Sequence, residues 1–297
     1  AGRRVLLVEV EGRAGIAPTF DVPDLPPDES KIATAANDGA VYALSMDVET
    51  TFLDYLKTNY GMGLAARALR RIGAIDFATT LAPGLKDILI TGKLMELTQR
   101  REGDRYAYDA VVVDAPPTGR IGKFLDVTRA MRDIAKAGPV SGQAERVVRL
   151  LHSEDTVVHL VTLLESLPVQ ESAEAARELR ELDLRIGALV INKALPRFLP
   201  EAAVHTVADG AVDAPAVRSR LESAGLALDD ARFAGLLTET IDYARTLSGQ
   251  EEARDDLERV ATECGGTALL ELPLLPQGVD LGGVYELAEV LGRAGVR

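Results

Sequence analysis

The chain has few of the residues that build metal centres, disulfides and aromatic ligand cages. Its 297 residues include one cysteine, three histidines and no tryptophan. A single cysteine excludes an internal disulfide framework and any zinc site made from a cysteine pair. The three histidines, at positions 152, 159 and 205, do not make a metal-binding set. We therefore expect no zinc site, and we interpret Cys264 as a structural or incidental thiol.

The sequence also lacks an excess of positive charge and any long apolar run. Its 33 Lys and Arg residues face 46 Asp and Glu residues, which gives a net charge of −13. Nucleic acids and anionic membranes attract clusters of Lys and Arg, so neither is expected as a partner. No apolar run approaches the roughly 18 residues of a membrane span, and no signal peptide is visible. We predict no integral membrane segment and a cytoplasmic location.

One phosphate-binding motif is missing as well. No segment fits G-x-x-x-x-G-K-[ST], the loop whose backbone N–H groups cradle phosphates. The pairs Gly92-Lys93 and Gly122-Lys123 lack both the upstream glycine and the following hydroxyl residue. We interpret both pairs as unrelated to phosphate binding.

What the sequence does contain is a core large enough for one elaborated domain or two. Hydrophobic residues make up 47% of the chain and aromatic residues only 4%. The abundance of Ala, Leu, Arg and Val favours helices packed on a sheet. Residues 5–10 and 41–46 predict strands, and residues 18–39 predict a loop with a short helix near residues 31–36.

The most informative stretch is residues 108–125. The apolar run 110–113 predicts a short strand buried on both faces of a parallel sheet. This strand ends in an acid, Asp114, and prolines and a glycine then break regular structure before a helical pattern. Ligands of α/β proteins bind at the carboxyl ends of parallel strands, and an acid there can hold Mg²⁺ through water. The other interpretation is that Asp114 only caps the next helix.

The string DAPPTGR at residues 114–120 resembles the Walker B and switch II segment, D-T-A-P-T-G-H, of the ArsA family. That family contains the arsenite-pump ATPase and the ATPase that targets tail-anchored membrane proteins. Ala115, Pro116 and Arg120 depart from the common form. The resemblance implies that Asp114 acts in catalysis by supporting Mg²⁺ through water. It also implies a switch II that senses the γ-phosphate, at Pro117, Thr118 and Gly119.

The segment VLLVEVEGRAG, which begins at Val5, resembles the family's V-L-L-I-S-T-D-P-A-H-S at the end of a strand and switch I. The match implies that Glu11 replaces the catalytic aspartate that orients the attacking water. Its extra methylene moves the carboxylate by roughly a bond length, which matters at a site sensitive to ~1 Å. Glu9 competes for this assignment, because the period of two in a strand puts both acids on one face. A solvated acid at the strand end is the other interpretation of Glu11.

Three later segments resemble the family's nucleotide contacts. LLESLPVQ implies that Glu165 reaches the nucleotide of a neighbouring subunit, whereas a plain helix-start acid is the alternative. The apolar run 186–191 followed by Asn192 resembles V-V-N-[KRQ]; its amide can donate to and accept from adenine, whereas turn formation is the alternative. The last predicted strand, 268–272, leads into the loop that wraps adenine in the family. The second base-binding segment is then Pro273, Leu274, Leu275, Pro276, Gln277, Gly278, Val279 and Asp280.

The resemblance covers nearly the whole chain and is strongest to the actinobacterial ArsA-like ATPases, which keep EGR and DAPPTGR. It implies an α/β fold of the P-loop NTPase, ArsA/MinD-like type: a doubly wound, mainly parallel sheet with helices on both faces. Residues 1–297 are expected to form a single ATPase domain without its first strand and P-loop, which precede the opening strand in the family. Helical elaborations are predicted at about 48–104, 120–152 and 199–263.

The implied function is ATP hydrolysis with Mg²⁺ that switches the conformation of a dimer. The partner would be a second copy or a related ATPase, and no arsenite site is expected because that site requires several cysteines. Without a P-loop, residues 1–297 alone are expected to be inactive. One alternative is a non-hydrolysing subunit that stabilises a related active ATPase. A MinD/ParA-like positioning ATPase is the other, and the balanced charge of the C-terminal YELAEVLGRAGVR argues against it.

Overall fold

The computed structural model of the chain describes residues 2–10, 15–35, 37–47, 50–51, 83–126 and 139–296. Strands and helices alternate through much of this part of the chain. The strands are β1 (Arg4–Glu9), β2 (Ser30–Thr34), β3 (Ala40–Ser45), β4 (Arg101–Glu102), β5 (Arg105–Tyr106), β6 (Ala110–Asp114), β7 (Val158–Thr162), β8 (Ile186–Ala194) and β9 (Ala268–Pro273).

The helices range from one turn to more than nine. They are α1 (Ile16–Thr19), α2 (Pro83–Gln99), α3 (Thr118–Leu125), α4 (Pro139–Leu151), α5 (Ser166–Glu181), α6 (Glu201–Ala208), α7 (Ala214–Ser223), α8 (Asp230–Glu263) and α9 (Leu281–Arg293). None of them, within the described ranges, is long and apolar enough to cross a membrane.

The first sheet has four strands in the order β2-β3-β1-β6. The central strand, β1, pairs in parallel with β3 on one side and with β6 on the other. Its inward side chains Leu6 and Val8 are fully buried. Together with the parallel pairing of β8 and β9 in the second sheet, this confirms the predicted α/β class with mainly parallel strands.

The prediction that residues 110–113 are buried on both faces is wrong. The strand exists as β6, but Val112 is 52% exposed and Ala110 is exposed as well. The reason is position: among the described residues β6 is the outer strand of its sheet and pairs only with β1. An apolar run predicts a strand, but it does not report whether a neighbour covers the second edge.

The short helix predicted near residues 31–36 is also wrong. Residues Ser30–Thr34 instead form β2, which pairs antiparallel with β3 and shifts register between Lys31 and Ala33. Backbone hydrogen bonds to β3 satisfy this segment, and pairing of that kind outweighs a weak local helical preference. The edge position of β2 fits its mostly half-buried or exposed side chains.

The second sheet has the order β7-β8-β9. Ile191 is opposite Glu271 and Ala194 is opposite Pro273, with a register shift between these two pairs. Lys193 lies within that shift and has a backbone φ of +55°, a value that residues other than glycine rarely adopt. The end of β8 is therefore bulged rather than regular.

The longest helix, α8, has 34 residues and is about 50 Å long. Asp229 caps its N-terminus by accepting a hydrogen bond from the Arg232 N–H at 2.8 Å. Buried side chains occur along the length of α8, at Phe233, Ala244, Leu247, Ala253, Leu257 and Ala261. Helix α6 packs against this helix.

A polar cluster lies near the N-terminal end of the first sheet. The Glu29 carboxylate accepts hydrogen bonds from Arg100, at 2.5 Å to Nη1, and from the Tyr108 hydroxyl. The Tyr108 ring packs edge-on against Tyr42 at 5.6 Å, and the Arg4 guanidinium lies 5.4 Å from the Tyr42 ring. Burial, and then the bond to Glu29, raises the pKa of Tyr108 above its usual range.

Replacing Tyr108 by Phe should lower the free energy of unfolding at pH 7 by about 1 kcal/mol, because the hydrogen bond to Glu29 is lost. The raised pKa means that the folded protein holds the Tyr108 proton more tightly than the unfolded chain does. The contribution of the Tyr108 hydroxyl to stability is complete at pH values below about 10, the pKa of tyrosine in the unfolded chain, and it is lost as the pH rises above that value. Denaturant unfolding of both proteins at pH 7 and about pH 11 should show the difference shrinking.

The matched control is Tyr106→Phe, since Tyr106 is exposed. Its unfolding free energy should stay within about 0.5 kcal/mol of the wild type at both pH values. A Tyr108→Phe difference that stays constant across this range contradicts a proton held by the cluster.

Candidate functional site

Three strands of the first sheet end at the same edge because their pairing is parallel and in register. Glu9 at the end of β1 is opposite Ser45 in β3 and Asp114 in β6. Neighbouring strands lie roughly 4.8 Å apart, and paired residues point to the same face. The structure therefore brings Glu9 close to Asp114. Glu9 is 3% exposed, whereas Asp114 is exposed.

The family resemblance assigns the catalytic role to Glu11, with Glu9 as the competing acid, and the structure gives Glu9 a defined place. The Glu9 Oε1 accepts a hydrogen bond from the Gly15 N–H at 3.0 Å. This bond joins the end of β1 to the start of α1 across residues 11–14. Glu11 itself lies outside the described residues. Strand periodicity could not have predicted this hydrogen bond, because it places Glu9 and Glu11 on the same face of the strand.

The predicted switch II residues lie at the junction of β6 and α3. Asp114 ends β6, Pro116 is buried, and Pro117 is the N-cap of α3. The helix begins at Thr118, so Thr118 and Gly119 form its first turn rather than a break before it. Pro117 provides no side-chain acceptor for the first N–H groups of α3. Such N–H groups at a helix N-terminus suit an anion.

The two predicted base-binding segments meet at the ends of β8 and β9. Asn192 lies in the bulge of β8, and its Oδ1 accepts a hydrogen bond from the Lys193 N–H at 3.0 Å. The Leu274 N–H donates to the Ala194 carbonyl at 2.8 Å. Asn192 and the start of the second segment therefore lie on adjacent strand ends.

The rest of the second segment is an exposed loop that leads into α9. Gly278 has a φ of +82° and donates its N–H to the Leu275 carbonyl at 3.1 Å. The Asp280 Oδ1 accepts a hydrogen bond from the Gly283 N–H at 2.9 Å, as an N-cap does. The Asp280 carboxylate thus has a structural role at the start of α9.

Glu165 is exposed and directly precedes α5, and its carbonyl accepts a hydrogen bond from the Val169 N–H at 3.1 Å. This position fits the helix-start interpretation and leaves the contact with a neighbouring nucleotide as a prediction. In the described part of the chain, no three His, Cys, Asp or Glu side chains converge as metal ligands. A divalent cation at the first sheet would thus depend on few protein oxygens and on water.

Comparison with known proteins gives relatives over the whole chain, although no protein-family model matches. ATPase BagA from Mycobacterium tuberculosis (strain ATCC 25618 / H37Rv) is 54% identical over 297 residues, which is all of this chain and 86% of that protein. A Mycobacterium bovis protein named as an ATPase matches with the same identity and coverage. An Aquifex aeolicus protein named as an arsenical pump-driving ATPase is 26% identical over 159 residues, or 45% of this chain and 52% of its own length.

Replacing Glu9 by Ala should lower the free energy of unfolding by about 1.5 kcal/mol, because the hydrogen bond from the Gly15 N–H to the buried Glu9 carboxylate is lost. Glu9→Gln keeps a side-chain oxygen at that place and should lower it by less than half as much. Denaturant unfolding measures both. The exposed Glu96→Ala serves as the control and should change stability by no more than about 0.5 kcal/mol. Equal losses for Glu9→Ala and Glu9→Gln would show that the bond to Gly15 contributes nothing.

Proposed function

This chain belongs to the ATPase family of its mycobacterial relatives, and we propose that it binds and hydrolyses ATP with Mg²⁺ as an ArsA-like ATPase. Identity to those relatives over all 297 residues supports an ATPase, and the Aquifex aeolicus match favours the ArsA-like branch. The observation that carries the mechanism is the position of Asp114, at the carboxyl end of β6 and directly before the N-terminus of α3.

The chemistry of this position fits Mg²⁺ and phosphate. Asp114 is an exposed carboxylate, and Mg²⁺ commonly binds through one or two carboxylates while it keeps several waters. The first N–H groups of α3, at Thr118 and Gly119, favour a negative group nearby. When bound, Mg²⁺ would neutralise the charge that develops on the transferred phosphoryl group.

Residues of the chain would supply positioning rather than covalent chemistry. Glu11 would orient the water for in-line attack, and Asp114 would hold the water shell of the cation. Thr118 and Gly119 would respond to the γ-phosphate through the start of α3. Loss of that phosphate would release them, which couples hydrolysis to the opening of a dimer. The buried Glu9 would support this end of the sheet by holding Gly15.

The base would lie at the ends of β8 and β9. The Asn192 amide can both donate to and accept from adenine, and the loop from Pro273 to Asp280 would cover the ring. Gly278 allows the tight turn that such a loop requires, because its φ is +82°. Glu165 would reach the nucleotide of the neighbouring subunit in the dimer.

The proposed site also needs a phosphate loop, which none of the 297 residues supplies. The outer edge of β6 favours a further strand beside it, because among the described residues this edge has no partner and Val112 is half exposed. A parallel strand there would end next to Asp114 and could deliver a phosphate loop to that carboxylate. We include such a strand, from outside residues 1–297, in the proposal.

A non-hydrolysing partner subunit is the second candidate, and the same missing motif favours it. Such a subunit would keep the fold and the dimer surface while a related ATPase supplies catalysis. The two candidates differ in one measurable property. The first predicts ATP turnover by the natural full-length protein alone, and the second predicts turnover only with a related ATPase present.

Asp114→Asn in the natural full-length protein should reduce ATP turnover at least about 100-fold, because the carboxylate that supports the cation is lost. Phosphate release under saturating Mg·ATP measures this. Asp104→Asn, in the exposed β4–β5 hairpin, is the matched control and should leave turnover within about twofold. Unchanged turnover of the Asp114 variant overturns the mechanism. Absence of turnover in the wild type alone, restored by a related ATPase, favours the partner subunit.

Residues 1–297 expressed alone should bind Mg·ATP weakly and should not hydrolyse it, because they contain no phosphate loop. Isothermal titration should give a Kd for the 297-residue protein at least about 100-fold weaker than that of the natural full-length protein. The loop accounts for this loss through the backbone N–H groups that it aims at the phosphates. Equal and tight binding by both proteins would contradict the proposal.

A further inference from the structure

One side of α8 contacts the ends of both β8 and β9, the two strands beside which the adenine base is proposed to lie. Gln250 and Arg254 lie one turn apart on this helix. The Gln250 Oε1 accepts a hydrogen bond from the Leu195 N–H at 3.3 Å, three residues after Asn192. The Arg254 Nη1 lies 2.5 Å from Oε2 of Glu271, two residues before Pro273. Residues far apart in sequence are thus joined through a single helix.

Strand pairing alone does not fix these two segments. The register between β8 and β9 shifts between Ile191 and Ala194, so ladder hydrogen bonds are interrupted where Asn192 lies. Beyond the register shift, the hydrogen bond from the Leu274 N–H to the Ala194 carbonyl again joins the two strands. The contacts of α8 lie on either side of this irregularity and supply the support that the ladder lacks.

On the β8 side the support is redundant. Besides Leu195, the segment is held by an ion pair of Arg197 with Glu251 at 3.1 Å. The Phe198 N–H donates to the Tyr243 hydroxyl at 3.0 Å, and that hydroxyl donates to the Pro196 carbonyl. All of these partners are on α8. On the β9 side the described contact is the Arg254–Glu271 ion pair.

Packing alone does not account for an arginine at position 254. Its side chain is mostly buried, and its Nε has no hydrogen-bond acceptor in the described part of the chain. A buried donor without an acceptor destabilises the fold, and an apolar side chain of similar size would avoid that penalty. An arginine at this position is therefore more consistent with orienting Glu271 than with packing.

We propose that Arg254, assisted by Gln250, is a positioning residue for the adenine base. It acts through Glu271 and β9 by holding the segment that begins at Pro273 at a fixed distance from Asn192. In this proposal neither α8 side chain would touch the nucleotide. The inference rests on the proposed function, in which Asn192 and the 273–280 loop bind the base.

The test compares a ligand with a base and a ligand without one. The Kd of Mg·ATP and of magnesium tripolyphosphate is measured for the natural full-length protein and for Arg254→Met. The variant should bind ATP about tenfold more weakly, within the roughly 2- to 150-fold range of coupling inside one contact network. Its affinity for tripolyphosphate should stay within about twofold, because that ligand has no base. Arg254→Lys, which can still pair with Glu271, should recover most of the loss.

Two further variants separate the possible outcomes. Arg259→Met is the matched control, since Arg259 pairs with Asp256 on the same helix and is mostly exposed; ATP affinity should not change. Asn192→Ala tests the base site itself. If Asn192→Ala weakens ATP binding and Arg254→Met does not, the inference is wrong and the base site stands. If neither variant weakens it, the proposed base site and the inference both fail.

Comparing the effects on ATP and on tripolyphosphate distinguishes positioning of the base from a purely structural role of Arg254. Equal weakening of ATP and tripolyphosphate in Arg254→Met, or a failure of Arg254→Lys to recover ATP affinity, overturns the proposal. Selective weakening with recovery supports it. The thermal unfolding of each variant is measured as well. If Arg254→Met binds ATP as tightly as the wild type at temperatures below those at which the variant unfolds, the weaker binding came from unfolding, and the proposed positioning role is wrong.

Discussion

In the four-stranded sheet, β1 hydrogen-bonds to β3 and to β6 with all three strands running in the same direction. Parallel pairing has one consequence for the whole region: the carboxyl ends of strands that are distant in sequence meet at one edge. Asp114 lies beside Glu9 for this reason, although more than 100 residues separate them. The start of α3, directly after β6, is brought to the same edge.

The two ends of this sheet use polar side chains in different ways. At the N-terminal end, Glu29, Arg100 and Tyr108 satisfy one another, and the pKa of Tyr108 is raised in a buried place. At the carboxyl end, Glu9 is buried and bound by Gly15, whereas Asp114 is exposed. Closed networks stabilise a fold, and an exposed strand-end acid lies where a ligand can reach it. The arrangement therefore separates stability from the proposed reaction within a single layer.

Sequence patterns predicted much of this, within physical limits. Apolar runs gave β1, β3, β6 and β9, because buried strands need consecutive apolar residues. They did not give β2, since only pairing with β3 makes that segment a strand, and they overestimated the burial of Val112. The bond from Glu9 to Gly15 and the pair of Arg254 with Glu271 depend on tertiary placement, which periodicity does not encode. The roles of Glu11, Glu165 and Asn192 stay predictions.

The outer edge of β6 also affects how the isolated chain behaves in solution. Within the described ranges β6 pairs with a strand on one side only, so the backbone groups of residues 111–113 on its other side form a template that accepts a strand from any source, including another molecule. Asp109 and Asp114 flank this run and act as charged gatekeepers against such intermolecular pairing. The strand that holds the candidate catalytic acid is therefore also the place where we expect residues 1–297 to associate with another molecule.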